Sequence, residues 1–215
     1  MEEVLDLYAL APDPSRPLVN LDEFSKQLLS EVAPPKAARP ASANRAGTPR
    51  RHDSEYVREG SASAFMIAAP HLGLREVFVG EEGRRTALDY AAAIEFMCDV
   101  MFPEAEKIVL VQDNLNTHNP ASLYKAFPAQ KARRLASKIQ WHHTPKHGSW
   151  LNIAECELSA MSKQCLSGRR IGHLSELQSE IAAWADNTNQ KQRVVDWQFQ
   201  IDDARTRLKH LYPKF

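Results

Sequence analysis

Ile108-Val109-Leu110-Val111 is apolar at four successive positions and ends at Gln112-Asp113-Asn114. Successive side chains of a strand point to opposite faces, so a strand made of this run has no side that can meet water. It belongs in the middle of a sheet covered on both faces, the usual setting of parallel strands in α/β folds. The flanking sequence supplies the cover. Leu88, Ala91, Ala92, Ile94, Phe96 and Met97 recur at helical spacing from Thr86 until Phe102-Pro103 stops them. Pro120 to Phe127 and Ala129 to Lys138 read as short helices, Ile139 to His143 as another strand. Pro145 and Gly148 break the chain before a helix over 152–166, and Leu174 to Thr188 is amphipathic.

The first half reads as strands. Leu18-Val19-Asn20-Leu21 predicts a short buried strand that delivers Asp22 and Glu23 at its end, with Gln27 to Val32 returning beside it. Ala62 to Ala69 and Leu74 to Val79 form a pair joined by a turn at Pro70-His71-Leu72-Gly73. Pro34 to Pro49 holds four of the thirteen prolines and predicts an exposed arm or loop with little regular structure. The fold class is therefore a mixed α/β sheet flanked by helices. Residues 1–17 read as a lead-in, 18–190 as the main domain with a Pro-rich basic arm at 34–52, and 191–215 as a helical extension. Trp184, Trp197 and Phe199 are expected to close the core beneath a terminal helix at Asp203 to Tyr212.

At 215 residues with 43% hydrophobic content the chain can build a real core, which excludes disorder throughout. No apolar run approaches the roughly 20 residues of a membrane helix, and Met1-Glu2-Glu3 lacks the order of a secretory signal, so a cytosolic location is expected. Cys98, Cys156 and Cys165 form no C-x-x-C pair and are expected as buried thiols. His142, His143 and His147 do not suggest zinc, because adjacent strand residues point to opposite faces and no H-x-x-x-H lies on a helix.

The 27 bases balance the 27 acids, but the charges are segregated. The 41 residues between Asp113 and Glu155 contain no acid, where the overall composition would place about five, and they carry Lys125, Lys131, Arg133, Arg134, Lys138 and Lys146. Pro34 to His52 is also acid-free, with Lys36, Arg39, Arg45, Arg50 and Arg51, whereas acids crowd Glu81 to Glu106. Basic surfaces framing a few carboxylates suit a polyanion; solvated faces explain the same pattern equally well.

Asp22, Asp113 and Glu155 stand where two strands and a helix would present them to one end of the sheet. Carboxylates are the ligands a hard divalent ion requires. Two such ions, about 3.5–4 Å apart, can activate the attacking oxygen and stabilise the leaving one in phosphoryl transfer. Each acid also has a structural reading: Asp113-Asn114 as a turn, Asn152 with Glu155 as a helix cap, Asp22-Glu23 as the surface end of a strand.

The words around these acids carry a resemblance. Val109-Leu110-Val111-Gln112-Asp113-Asn114-Leu115-Asn116-Thr117-His118 resembles the second-aspartate motif of IS630-type transposases, a bacterial branch of the Tc1/mariner group. Thr144-Pro145-Lys146-His147-Gly148-Ser149-Trp150-Leu151-Asn152-Ile153-Ala154-Glu155 is similar to their third-acid motif, and Leu21-Asp22-Glu23 with the following Gln27-Leu28-Leu29 to their first-aspartate block. The resemblance implies a DDE catalytic domain of RNase H-like, retroviral-integrase-like fold. Asp22, Asp113 and Glu155 would hold two Mg²⁺ or Mn²⁺ ions for DNA strand cleavage and strand transfer. The implied partners are double-stranded DNA at transposon ends and target, and a second copy in a homodimer. A bacterial cytoplasmic, nucleoid-associated setting follows. Asn114, His118, Lys146, His147, Arg50 and Arg51 are candidate DNA contacts. Relatives carry N-terminal helix-turn-helix modules; these are expected to be lacking here and to come, if at all, from an upstream-frame polypeptide. The alternatives are a non-catalytic DNA-binding or dimerisation remnant, or a host nuclease acting on RNA–DNA hybrids.

Overall fold

The computed structural model describes residues 1–51, 53–146 and 148–212. Five strands, β1 (Leu18–Glu31), β2 (Tyr56–Ala69), β3 (Leu74–Phe78), β4 (Ile108–Gln112) and β5 (Ile139–His143), form one sheet in the order β3-β2-β1-β4-β5. The first three pair antiparallel, while β4 runs parallel to both β1 and β5. This is the mixed, RNase H-like sheet expected. Seven α-helices flank it among the described residues: α1 (Glu2–Ala9), α2 (Ala87–Phe96), α3 (Pro120–Ala126), α4 (Ala129–Lys138), α5 (Ile153–Met161), α6 (Leu174–Asn189) and α7 (Ile201–Arg207). Both α2 and α5 continue into a π-helical turn, Met97–Met101 and Ser162–Leu166.

β4 is buried along its whole length, and its alternation serves two cores. Ile108 and Leu110 pack with Val19, Leu21, Phe65 and Ile67 against α2, α3 and α4. Val109 and Val111 face the other way, toward α1, α7 and Leu151. A third cluster sets Met66 and Leu28 against α5 and α6, and includes Trp184. Trp197 and Phe199 instead pack beside α1 and α7, so the three aromatics close two separate cores. The terminal helix is shorter than expected, Ile201–Arg207 followed by a 3-10 turn at Lys209–Leu211. Helix α2 starts where Thr86 predicts. The Thr86 side chain accepts from Asp89 N–H, and Asp89 Oδ2 accepts from Thr86 N–H at 2.8 Å, a reciprocal capping box. Thr86→Ala should lower stability by about 1 kcal/mol, read as a shift in urea midpoint at unchanged slope.

Three expectations change. Gln27 to Glu31 is the continuation of β1, not a returning strand: β1 runs 14 residues and pairs with β2 from Asn20 to Glu31. The pairing slips once, from Leu28↔Gly60 to Leu29↔Arg58, which leaves Glu59 as the extra residue of a bulge. Gly60 takes φ +119° there, a conformation L side chains rarely adopt. The arm is the end of this same hairpin. Bridges Lys36↔Arg51, Arg39↔Thr48 and Ser42↔Arg45 continue the β1–β2 register to its tip. Its prolines remove donors, so the ladder survives only as isolated bridges. Finally, the lead-in contains α1, whose Val4, Leu5 and Tyr8 are buried in the core beside β4.

Candidate active site

Parallel pairing of β1 with β4 fixes two of the three acids. Leu18↔Val109, Val19↔Leu110 and Asn20↔Val111 are in register, and Asp22 and Asp113 each lie two residues further on. Glu155 arrives from the opposite side, in the first turn of α5, where a negative charge complements the helix dipole. Asp22 is 8% exposed. Its Oδ1 accepts from Glu23 N–H at 2.8 Å and its Oδ2 from Asn152 Nδ2 at 3.2 Å. Burial pushes its carboxyl up to about 6, with the Glu155 and Asp113 charges adding to the rise against the Glu23 N–H, which opposes it. Asp22 thus senses both other acids at one end of the sheet.

Glu155 is not consumed by capping. Asn152 caps α5 alone, its side chain accepting from Ala154 N–H, while Asn152 N–H donates to Ser149 O. Among the described residues the exposed Glu155 carboxylate makes no hydrogen bond or ion pair. The helix beneath it is anchored by a pair that sequence reasoning missed. Arg75, 3% exposed on β3, donates Nε to Glu157 Oε2 at 2.6 Å and Nη2 to Glu157 Oε1 at 2.8 Å. Its remaining donors reach Gly73 O and Arg193 O, both at 2.8 Å. Nothing in the local spacing joins position 75 to position 157.

His118, expected as a DNA contact, is turned into the core rather than toward the surface. Its side chain is fully buried, stacked on Tyr90 with ring centroids 4.7 Å apart. Nδ1 donates to Asp113 Oδ1, and Nε2, without a hydrogen-bond partner, faces Glu23 Oε2 at 3.8 Å. Glu23 in turn accepts from Arg85 Nη1 at 2.5 Å. The ring therefore fixes the Asp113 carboxylate from behind, leaving that side chain 28% exposed toward the surface. Gln112 holds the same turn, accepting from Tyr90 Oη at 2.8 Å and donating to His118 O at 2.9 Å.

A cleft of about 530 Å³ opens beside Asp113, lined also by Asn114, Leu115, Thr144, Pro145, Lys146 and Ser149. It brings together Asp113, Asn114 and Lys146. His147 lies outside the described residues. Arg50 and Arg51 are exposed on the arm, nine strand residues and more beyond Asp22, roughly 30 Å along β1. The acid-free stretch is less basic in space than in sequence: Lys131 pairs with Glu95 and Arg134 with Asp99, both acids from the crowded segment. Lys138 Nζ donates to the carbonyls of Cys98, Phe102 and Pro103 at the end of α2 and its π turn, where a cation complements the helix dipole. Trp150 is exposed, edge-on to Phe199 at 5.4 Å. His142 and His143 take different partners, Glu3 and Gln112. Cys98 and Cys165 are buried, but Cys156, beside Glu155, is exposed, contrary to expectation.

The donor chemistry suits a hard divalent ion, since the three residues offer carboxylate oxygens and the Glu155 and Asp113 charges both raise the cost of ionising Asp22. Among the described residues no group of three acids, histidines or cysteines is placed so that it could hold a metal ion. A protein-family profile described as "DDE superfamily endonuclease" matches residues 19–178, a span that contains all five strands but for Leu18 at the start of β1, and α2 to α5. Comparison with curated proteins gave no match. No helix is long and apolar enough to cross a membrane among the described residues.

Proposed function

Since the chain belongs to the DDE superfamily of endonucleases, we propose that it is the catalytic domain of an IS630-type transposase, cutting and joining DNA at the ends of an insertion sequence. The observation that carries this reading is that Asp22 and Asp113 follow two adjacent parallel strands in matching register, with the Glu155 charge on α5 near enough to raise the Asp22 carboxyl. Asp22, Asp113 and Glu155 would hold the ions. Two Mg²⁺ or Mn²⁺ ions, when bound, supply activation of the attacking oxygen and neutralisation of charge on the phosphate.

The remaining residues have roles that need no ion. His118 holds Asp113 in one orientation, and Asn152 and Glu23 N–H do the same for Asp22. Fixing carboxylates before substrate arrives removes the cost of arranging them during the reaction. Lys146 and Asn114 line the cleft, where they offer charge and hydrogen bonds to backbone phosphate. Arg50 and Arg51, carried well away on the arm, serve DNA or a second subunit rather than the reacting phosphate. Holding two DNA ends requires two copies, so a homodimer on DNA is part of this reading.

The test is nicking of supercoiled plasmid by this chain with Mg²⁺, Mn²⁺ or chelator. We expect ion-dependent conversion to open circles that Asp113→Asn abolishes at unchanged circular dichroism. A wild-type chain that binds plasmid yet never cuts it would make this a non-catalytic DNA-binding remnant. Cleavage confined to RNA–DNA hybrids would make it a hybrid nuclease.

A further inference from the structure

We propose that Asn152 is a positioning residue that locks Asp22 and Glu155 to one another, and that its orientation is set by a buried chain of hydrogen bonds running back to Tyr8 on α1. The inference rests on the reading of Asp22, Asp113 and Glu155 as the ion-binding acids.

Asn152 is fully buried, and both ends of its amide are used. Oδ1 accepts from Ala154 N–H at 3.2 Å, which starts the helix that carries Glu155 one residue later. Nδ2 donates to Leu21 O at 2.8 Å and to Asp22 Oδ2 at 3.2 Å. One planar group thus touches the first turn of α5 and the carboxylate on β1. A cap alone does not require asparagine: serine, threonine and aspartate cap about as well, but none carries a two-proton donor opposite its acceptor. The second end of the amide is what the site demands.

The orientation of that amide is over-determined. Asn20, fully buried on β1, donates Nδ2 to Asn152 Oδ1 at 3.2 Å and to Tyr8 Oη at 2.7 Å. Tyr8 Oη spends its own proton on Leu151 O at 2.6 Å. Each link fixes the direction of the next, so a reversed Asn152 amide would set donor against donor at Asn20 and acceptor against acceptor at Asp22. Helix α1 reaches the carboxylates through this chain, 132 residues separating Asn20 from Asn152.

The experiment measures Mn²⁺ binding by electron paramagnetic resonance, Mn²⁺-dependent nicking and melting temperature for the wild type, Asn152→Ser, Tyr8→Phe and Asp22→Asn. Residues that orient ligands typically change metal affinity by about 10–100-fold. Asn152→Ser keeps a cap but cannot reach Asp22, so Mn²⁺ affinity should fall by about that factor, and raised Mn²⁺ should restore nicking because all three carboxylates remain. Asp22→Asn should not be restored. Tyr8→Phe, which keeps the aromatic packing, should show a several-fold loss in the same direction. A folded Asn152→Ser variant with wild-type Mn²⁺ affinity overturns the proposal and leaves Asn152 a helix cap. If Asn152→Ser does not fold, Tyr8→Phe decides: weaker Mn²⁺ binding at unchanged melting temperature supports the lock, and unchanged binding overturns it. Should Asp22→Asn bind Mn²⁺ as the wild type does, the ion-binding reading fails first and this inference with it.

Discussion

Glu155→Gln and Glu157→Gln, two residues apart on α5, will fail in opposite ways. Glu155 is exposed and engaged by no other described residue, so its replacement by an isosteric amide leaves packing intact and forfeits only a first-turn charge, a few tenths of a kcal/mol. Melting temperature should stay within about 2 °C of the wild type. Cleavage should fall by about a thousandfold or more, because a carboxylate holding an ion contributes several kcal/mol to the transition state. Glu157 is the reverse case. Both of its oxygens accept from Arg75, whose charge is buried at 3% exposure. Removing one partner of a buried pair leaves the other uncompensated and costs about 3–5 kcal/mol. Glu157→Gln should therefore unfold at markedly lower urea, yet still cut DNA at temperatures where it remains folded. Replacing Arg75 and Glu157 together with Met and Leu should recover much of the loss, since apolar substitutes for a buried pair are often neutral. Equal urea midpoints for Glu157→Gln and the wild type would deny the pair its anchoring role.

Those two positions also mark what was legible in the chain. Asp22, Asp113 and Glu155 are carried by strong local patterns: four apolar residues ending at Asp113, an apolar run before Asp22, a cap before Glu155. The mixed α/β class and α2 to α6 follow from periodicities of two and 3.6; the strand order β3-β2-β1-β4-β5 does not. Nor does the length of β1, because β4 covers it only over Leu18–Asn20; beyond Glu23 burial becomes partial and Ser25, Lys26 and Gln27 interrupt the apolar run. Val4, Leu5 and Tyr8 share a helical face and could have announced α1, but eight residues offer little pattern. The arm misled by composition, its prolines hiding a register that runs on from the sheet. What no local pattern could supply is pairing across distance. Arg75 with Glu157, Asn20 with Asn152, and Glu95 and Asp99 with Lys131 and Arg134 exist only once the elements have met. The last two pairs explain why segregated charge in sequence did not become an unbroken basic surface in space.

Ion-free protein will lose stability as pH rises from about 4 to about 7, by an amount that Asp22→Asn removes. The Asp22 carboxyl titrates near 6 in the folded chain against 3.8 for an ordinary aspartate, chiefly because it is buried and secondarily because Glu155 and Asp113 crowd it. A raised acid binds its proton more tightly folded than unfolded. Its contribution is thus fully present below the ordinary value and is lost as pH climbs through the folded one. Each pH unit between the two values is worth about 1.4 kcal/mol, so the penalty approaches 3 kcal/mol at neutral pH. Urea melts in chelator at pH 4.5 and 7.5 measure it: the wild type should weaken relative to Asp22→Asn across that range. A pH-independent difference between the two would mean that Asp22 ionises in the fold as easily as in the open chain. The physical origin of the penalty ties stability to the proposed chemistry. Asp22 and Asp113 are held in place by His118, Asn152 and the Glu23 N–H, and none of those groups removes the rise that burial and the Glu155 and Asp113 charges impose on Asp22. A divalent cation would, so adding Mn²⁺ at pH 7.5 should return stability to the wild type and leave Asp22→Asn almost unmoved.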